Sequence, residues 1–134
     1  MESGQDEFMF HISRLYPHFT KKKQSWPGVG GGWIGLVEEF YREMNSQYQA
    51  AENKGEWIKK FDVLCIKEKF GCLEIYYAAK QTQEQFDRVH EILGKSITVC
   101  EICGRPGELR RDLSWLKTLC DKHHQKFQER ENDR

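Results

Sequence analysis

Cys100-x-x-Cys103, sixteen intervening residues, then Cys120-x-x-His123 is the feature that most narrows what this chain can fold into. Each short pair grips one metal ion from a tight turn. A spacer of this length makes a small hairpin that brings the two pairs together, the arrangement a structural zinc ion requires. The neighbouring residues agree. Gly104 allows the chain to turn behind the second thiolate and lets backbone amides approach the sulfurs. Pro106-Gly107 signals a further turn. Glu108–Arg111 and Ser114–Leu119 read as two short strands, and a helix is expected from Cys120 through Gln128. Its free N–H groups and dipole suit a thiolate at its start. Knuckle, hairpin and ligand-bearing helix together predict a treble-clef-like zinc finger.

His123 completes the C-x-x-H bite, with His124 one residue away as the alternative ligand. Four protein ligands fill a tetrahedral shell and leave no position for a catalytic water, so the expected Zn²⁺ is single and structural. A thioredoxin-like redox role for Cys100 and Cys103 lacks the surrounding βαβ pattern. Cys65 and Cys72 fall in predicted strands without a partner pair and read as small buried hydrophobes. An odd total of five cysteines argues against a disulfide framework. The opening Met1–Glu7 lacks the basic and apolar regions of a secretion signal, and no apolar run approaches a membrane span. The expected setting is therefore cytoplasmic, with no membrane partner.

Upstream, Trp33, Leu36, Val37, Phe40 and Met44 recur at helical spacing and predict an amphipathic helix to about Tyr48, with Ala51–Gly55 as a polar linker. A hairpin is expected from Trp57–Lys67 and Cys72–Ala78, turning at Glu68-Lys69-Phe70-Gly71. Gln83–Leu93 reads as a second helix with Phe86, Val89, His90 and Leu93 on its apolar face and Gly94 as its stop. The first thirty-one residues read as irregular, apart from a short element around Phe8, Phe10, Ile12 and Leu15 ended by Pro17. Lys21–Lys23 reads as a solvated loop. Pro27–Gly32 resembles a phosphate cradle only superficially, because no strand precedes it and no Lys-Ser/Thr follows it. It reads as a flexible lead into the helix. The fold class is α+β: an irregular segment 1–31, an α+β portion 32–97 and a zinc-finger portion 98–134 packed with it as one domain.

Four segments resemble a group of small phage and prophage proteins: Gly32–Phe40, Ile66–Tyr76 with its Lys-Glu-Lys-Phe-Gly turn, Cys100–Gly107, and Trp115–His123 with Thr-Leu-Cys-Asp-Lys-His. The order of helix, hairpin, helix and knuckle is also similar. The chain departs from the group at Cys72 and Glu74, where a second glycine and an arginine are usual. The resemblance implies a phage or prophage source and the ligand set Cys100, Cys103, Cys120 and His123. It implies no activity.

With 21 Lys+Arg against 21 Asp+Glu, the chain has no global basic field to draw it to nucleic acid. Residues 95–134 carry an excess of only two positive charges. Within that stretch, Arg105, Arg110, Arg111, Trp115 and Lys117 combine cations with an aromatic and are the candidate contacts for a macromolecular partner, nucleic acid or protein. No small-molecule substrate is indicated. An inhibitor or adaptor of a host protein, acting through Lys69, Phe70, Tyr76 and Tyr77, is the alternative. A His-Asn-His-type nuclease would need a general-base histidine on the finger hairpin, and none lies between Cys103 and Cys120. The expected function is therefore non-catalytic binding.

Overall fold

Trp33, Leu36, Val37, Phe40 and Met44 share one face of a helix, and that face becomes the centre of the molecule. All five are buried, joined by Tyr41 and Gln47. The computed structural model describes residues 4–16, 29–56 and 61–133. Lys21–Lys23, Pro17, Pro27, Gly28 and the expected strand start at Trp57 lie outside them. Among the described residues the order is α1 (Gly4–Leu15), a 3₁₀ turn (Gly31–Trp33), α2 (Ile34–Asn53), β1 (Phe61–Lys69), β2 (Cys72–Ala79) and α3 (Gln83–Gly94). A second 3₁₀ turn (Lys95–Thr98), β3 (Glu108–Arg110), β4 (Lys117–Leu119) and α4 (Asp121–Asn132) complete it. The class is α+β, with two separate antiparallel hairpins, β1–β2 and β3–β4. No described helix is long and apolar enough to cross a membrane.

Several expectations are corrected in detail. The short element expected around Phe8, Phe10, Ile12 and Leu15 is a 12-residue helix beginning at Gly4, and Ile12 is fully buried in the core. Helix α2 runs on through Ala51 to Asn53, and Gly55, at φ +70°, turns the chain after it. The hairpin turn is only two residues, Phe70-Gly71, because Lys69 pairs with Cys72. Both turn residues have positive φ, 53° and 80°, as a twist-matched two-residue hairpin loop requires.

Cys65 is exposed and Cys72 half-buried, so neither is a core hydrophobe. The cause is a register shift between Val63 and Cys65: Val63 pairs with Tyr77 but Cys65 with Tyr76, leaving Leu64 as the extra residue of a bulge. The bulge breaks strict alternation. Val63 and Ile66 both point inward, and Leu64 and Cys65 outward.

Helix α3 opens on a capping box in which Thr82 and Gln85 satisfy each other's backbone N–H. Its buried residues are Val89, Ile92 and Leu93. Phe86 and His90 instead stack on each other at the surface, ring centroids 3.8 Å apart. The face that packs is rotated from the expected one: α3 meets both α2 and β2, and the Gln85 backbone carbonyl accepts from Gln47 Nε2 of α2. These elements enclose one apolar core in which Phe40 meets Tyr41 and Tyr77 edge-on.

Candidate metal centre

The knuckle forms because Gly104 takes φ +81° and its N–H donates to the Cys100 carbonyl over 2.9 Å. The Cys100 N–H in turn donates to Arg105 O at 2.7 Å, closing a tight loop that presents Cys100 and Cys103 together. Strands β3 and β4 return the chain to Cys120, which caps α4, and His123 lies on the first turn of that helix. The expected order of knuckle, hairpin and helix is therefore present, with strands shorter than expected: Ser114–Leu116 are outside β4.

The Sγ atoms of Cys100, Cys103 and Cys120 and a ring nitrogen of His123 all lie within 4.8 Å of one another. Cys103 Sγ is 3.8 Å from Cys120 Sγ, and His123 Nδ1 is 3.2 Å from Cys120 Sγ and 3.7 Å from Cys100 Sγ. An ion bound tetrahedrally at ordinary thiolate and imidazole bond lengths spaces its ligands by about 3.5–3.8 Å. The four side chains are close enough to coordinate one metal ion.

His124 is committed elsewhere: its Nε2 sits 2.9 Å from both carboxylate oxygens of Asp112, which also accepts from Gln128. Those contacts hold the Asp112 carboxyl below its usual range. The ambiguity between the two histidines is thus settled by geometry in favour of His123. The Cys120 thiol is pulled down to about 6, chiefly by a hydrogen bond from the His123 backbone N–H, which predisposes it to the thiolate form. Cys103 accepts from the Arg105 backbone N–H, but desolvation and the neighbouring sulfurs outweigh this and raise its pKa.

The candidate contact residues divide into two groups. Arg110 is tied inward: Nε donates to Leu119 O at 3.1 Å and a guanidinium nitrogen to Asp121 at 2.8 Å, locking β3 to the start of α4. Lys117 reaches the buried Glu101 carboxylate at 3.4 Å and lies 5.0 Å from the Phe127 ring centre. Arg105, Arg111 and Trp115 are exposed.

Several contacts around the centre join it to distant chain, and their partners are not indicated by the sequence. Gly32 donates its N–H to Glu101 O at 2.9 Å, and a Cβ on Gly32 would run into the Cys100 carbonyl. A Cβ on Gly30 would meet the Glu101 carbonyl in the same way. Within the stretch expected to be a flexible lead, Gly30 and Gly32 are therefore packed against the knuckle. They bring backbone directly against it, where a side chain would not fit. Trp33 Nε1 donates to Val99 O at 2.8 Å beside them. On the other side, Thr118 Oγ1 donates to Gly71 O at 2.7 Å, both residues buried. Glu101, whose pKa burial raises and Lys117 lowers, also receives the Thr118 N–H at 3.4 Å. The only sequence trace of these contacts is the glycines themselves.

No protein-family model matches the chain, and no curated protein or solved structure matches it.

Proposed function

We propose that Cys100, Cys103, Cys120 and His123 hold a single structural zinc ion in a treble-clef-like finger, and that the protein is a non-catalytic binding module of phage or prophage type. The observation that carries this reading is the closed set of four ligand atoms within 4.8 Å. Three sulfurs and one imidazole nitrogen in tetrahedral spacing suit zinc among the divalent ions, and a filled shell has no place for a substrate or activated water. The binding role is supported by the rest of the surface. Trp115 and Phe70 are both more than half exposed, at 57% and 55%, on the side of the molecule where finger and hairpin meet. The nuclease alternative gains no support, because Asp112 and Gln128 hold His124 in a local polar cluster.

Elemental analysis of purified protein tests the first half: one zinc per chain is expected. A metal-free preparation with the full fold would refute it. Magnesium-dependent DNA cleavage abolished by His124→Ala would overturn the non-catalytic half. An adaptor for a host protein is the second reading. It is favoured by Leu64 and Tyr76, 56% and 40% exposed on the bulged hairpin, where Lys67 covers the Tyr76 ring.

A further inference from the structure

Where the β1–β2 turn reaches the finger, two aromatic rings lie side by side. Phe70 and Trp115 stack with centroids 6.3 Å apart and planes 25° from parallel. Both stay largely open to solvent. Phe70 holds this place at φ +53°, a left-handed conformation that is costly for a bulky residue and free for glycine. The turn itself does not require the ring. Its backbone is secured by Gly71, whose N–H donates to Glu68 at 2.8 Å and whose carbonyl accepts from Thr118.

Beside Trp115 opens a hollow of about 210 Å³, lined by Leu113, Trp115, Phe127, Lys117 and Arg130. Lys117 and Arg130 each stand about 5 Å from the Phe127 ring centre, at 5.0 and 4.9 Å. The carboxylate at the rim, Glu131, is occupied by the backbone N–H and hydroxyl of Ser114. The hollow is smaller than the roughly 300–1,000 Å³ of pockets that enclose a metabolite and suits one planar ring. Flat π faces flanked by cations are what an unpaired base with its phosphate engages.

We propose that the Phe70–Trp115 stack and the adjoining Phe127 hollow form a stacking site for the bases of single-stranded nucleic acid, with Arg130 and the exposed Lys69 taking phosphates. This deepens the binding-module reading and rests on it. An acidic peptide would satisfy the cations, but its carboxylates make no use of the two open ring faces. The open outer faces of the Phe70 and Trp115 rings therefore favour nucleic acid over peptide.

The test is fluorescence anisotropy of a labelled oligodeoxythymidine of about 15 nucleotides, titrated with the full chain in its metal-loaded form. Two phosphate contacts predict binding about sevenfold weaker at roughly 200 mM than at 50 mM salt. Trp115→Ala and Phe70→Gly should each weaken binding by at least about fivefold, the lower end of base–aromatic stacking. Trp115→Phe should restore most of it. Phe70→Gly relieves the backbone, so an unchanged or raised Tm shows that lost binding is not lost folding.

Absence of binding at low salt, or binding indifferent to Trp115→Ala and Phe70→Gly, overturns the proposal. So does Trp115-dependent binding of a Glu/Tyr copolymer with none of the oligonucleotide. Zinc content measured on the same samples reports separately on the structural-zinc reading.

Discussion

The two halves of the molecule are held together by different physics. Residues up to Leu93 enclose fifteen buried apolar side chains in one cluster, from Ile12 to Leu93. Beyond Val99 the corresponding cluster is Cys100, Leu113 and Leu119, and α4 buries no residue. The first half is stabilised as ordinary domains are, by apolar area withdrawn from water. The second is assembled from polar ties, Arg110 to Asp121, His124 to Asp112 and Ser114 to Glu131, around four ligand atoms. A core of three side chains cannot offset the ordering of more than thirty residues. Docking against the first half and, on the zinc reading proposed above, metal binding supply the difference.

Removing the ion should have the largest effect. Structural zinc contributes on the order of 10 kcal/mol to folding near neutral pH. Excess chelator, or Cys100→Ser, should therefore unfold β3, β4 and α4 while the core around Phe40 persists. Hydrogen exchange would show lost protection across residues 100–133 and also faster exchange at the Gly32 amide, which donates to Glu101 O. If that amide stayed protected, the halves would be independent and the contrast would be one of two separate units.

Gly32→Ala tests the junction from the other side. Its new methyl group meets backbone, which cannot yield as a flexible side chain does. A loss of about 3 kcal/mol by denaturant titration is expected, together with weaker zinc retention. Gly31→Ala, with open space around its Cβ position, is the control and should change stability by under about 1 kcal/mol. Thr118→Val removes the donor to the buried Gly71 carbonyl and should cost about 1–3 kcal/mol in the same titration. Glu39→Gln breaks the 2.7 Å contact to Lys95 at an exposed site and should leave the unfolding midpoint unchanged.

The Cys/His cluster was legible from its spacing because each pair is a local device, complete within four residues. Helix α2 was legible because its buried face has a strict period. What the sequence concealed is what depends on distant chain. The glycines at 30 and 32 serve a contact with residues 100–104, and nothing near them announces it. Leu64 carries the apolar signature of its neighbours, so the bulge that turns Cys65 outward left no trace. Arg110 and Lys117 read as free surface cations because their partners, Leu119 O, Asp121 and Glu101, become neighbours only after the hairpin closes.

The knuckle against which Gly30 and Gly32 lie, and Thr118, which holds Gly71, are synthesised long after those glycines leave the ribosome. A nascent chain can condense its aromatic centre early, but the junction must wait for the knuckle and β4 to emerge. Until then the turn bearing Phe70 and the strap before α2 lack their docking partners, so the earliest-made core is finished only by the last-made third of the chain.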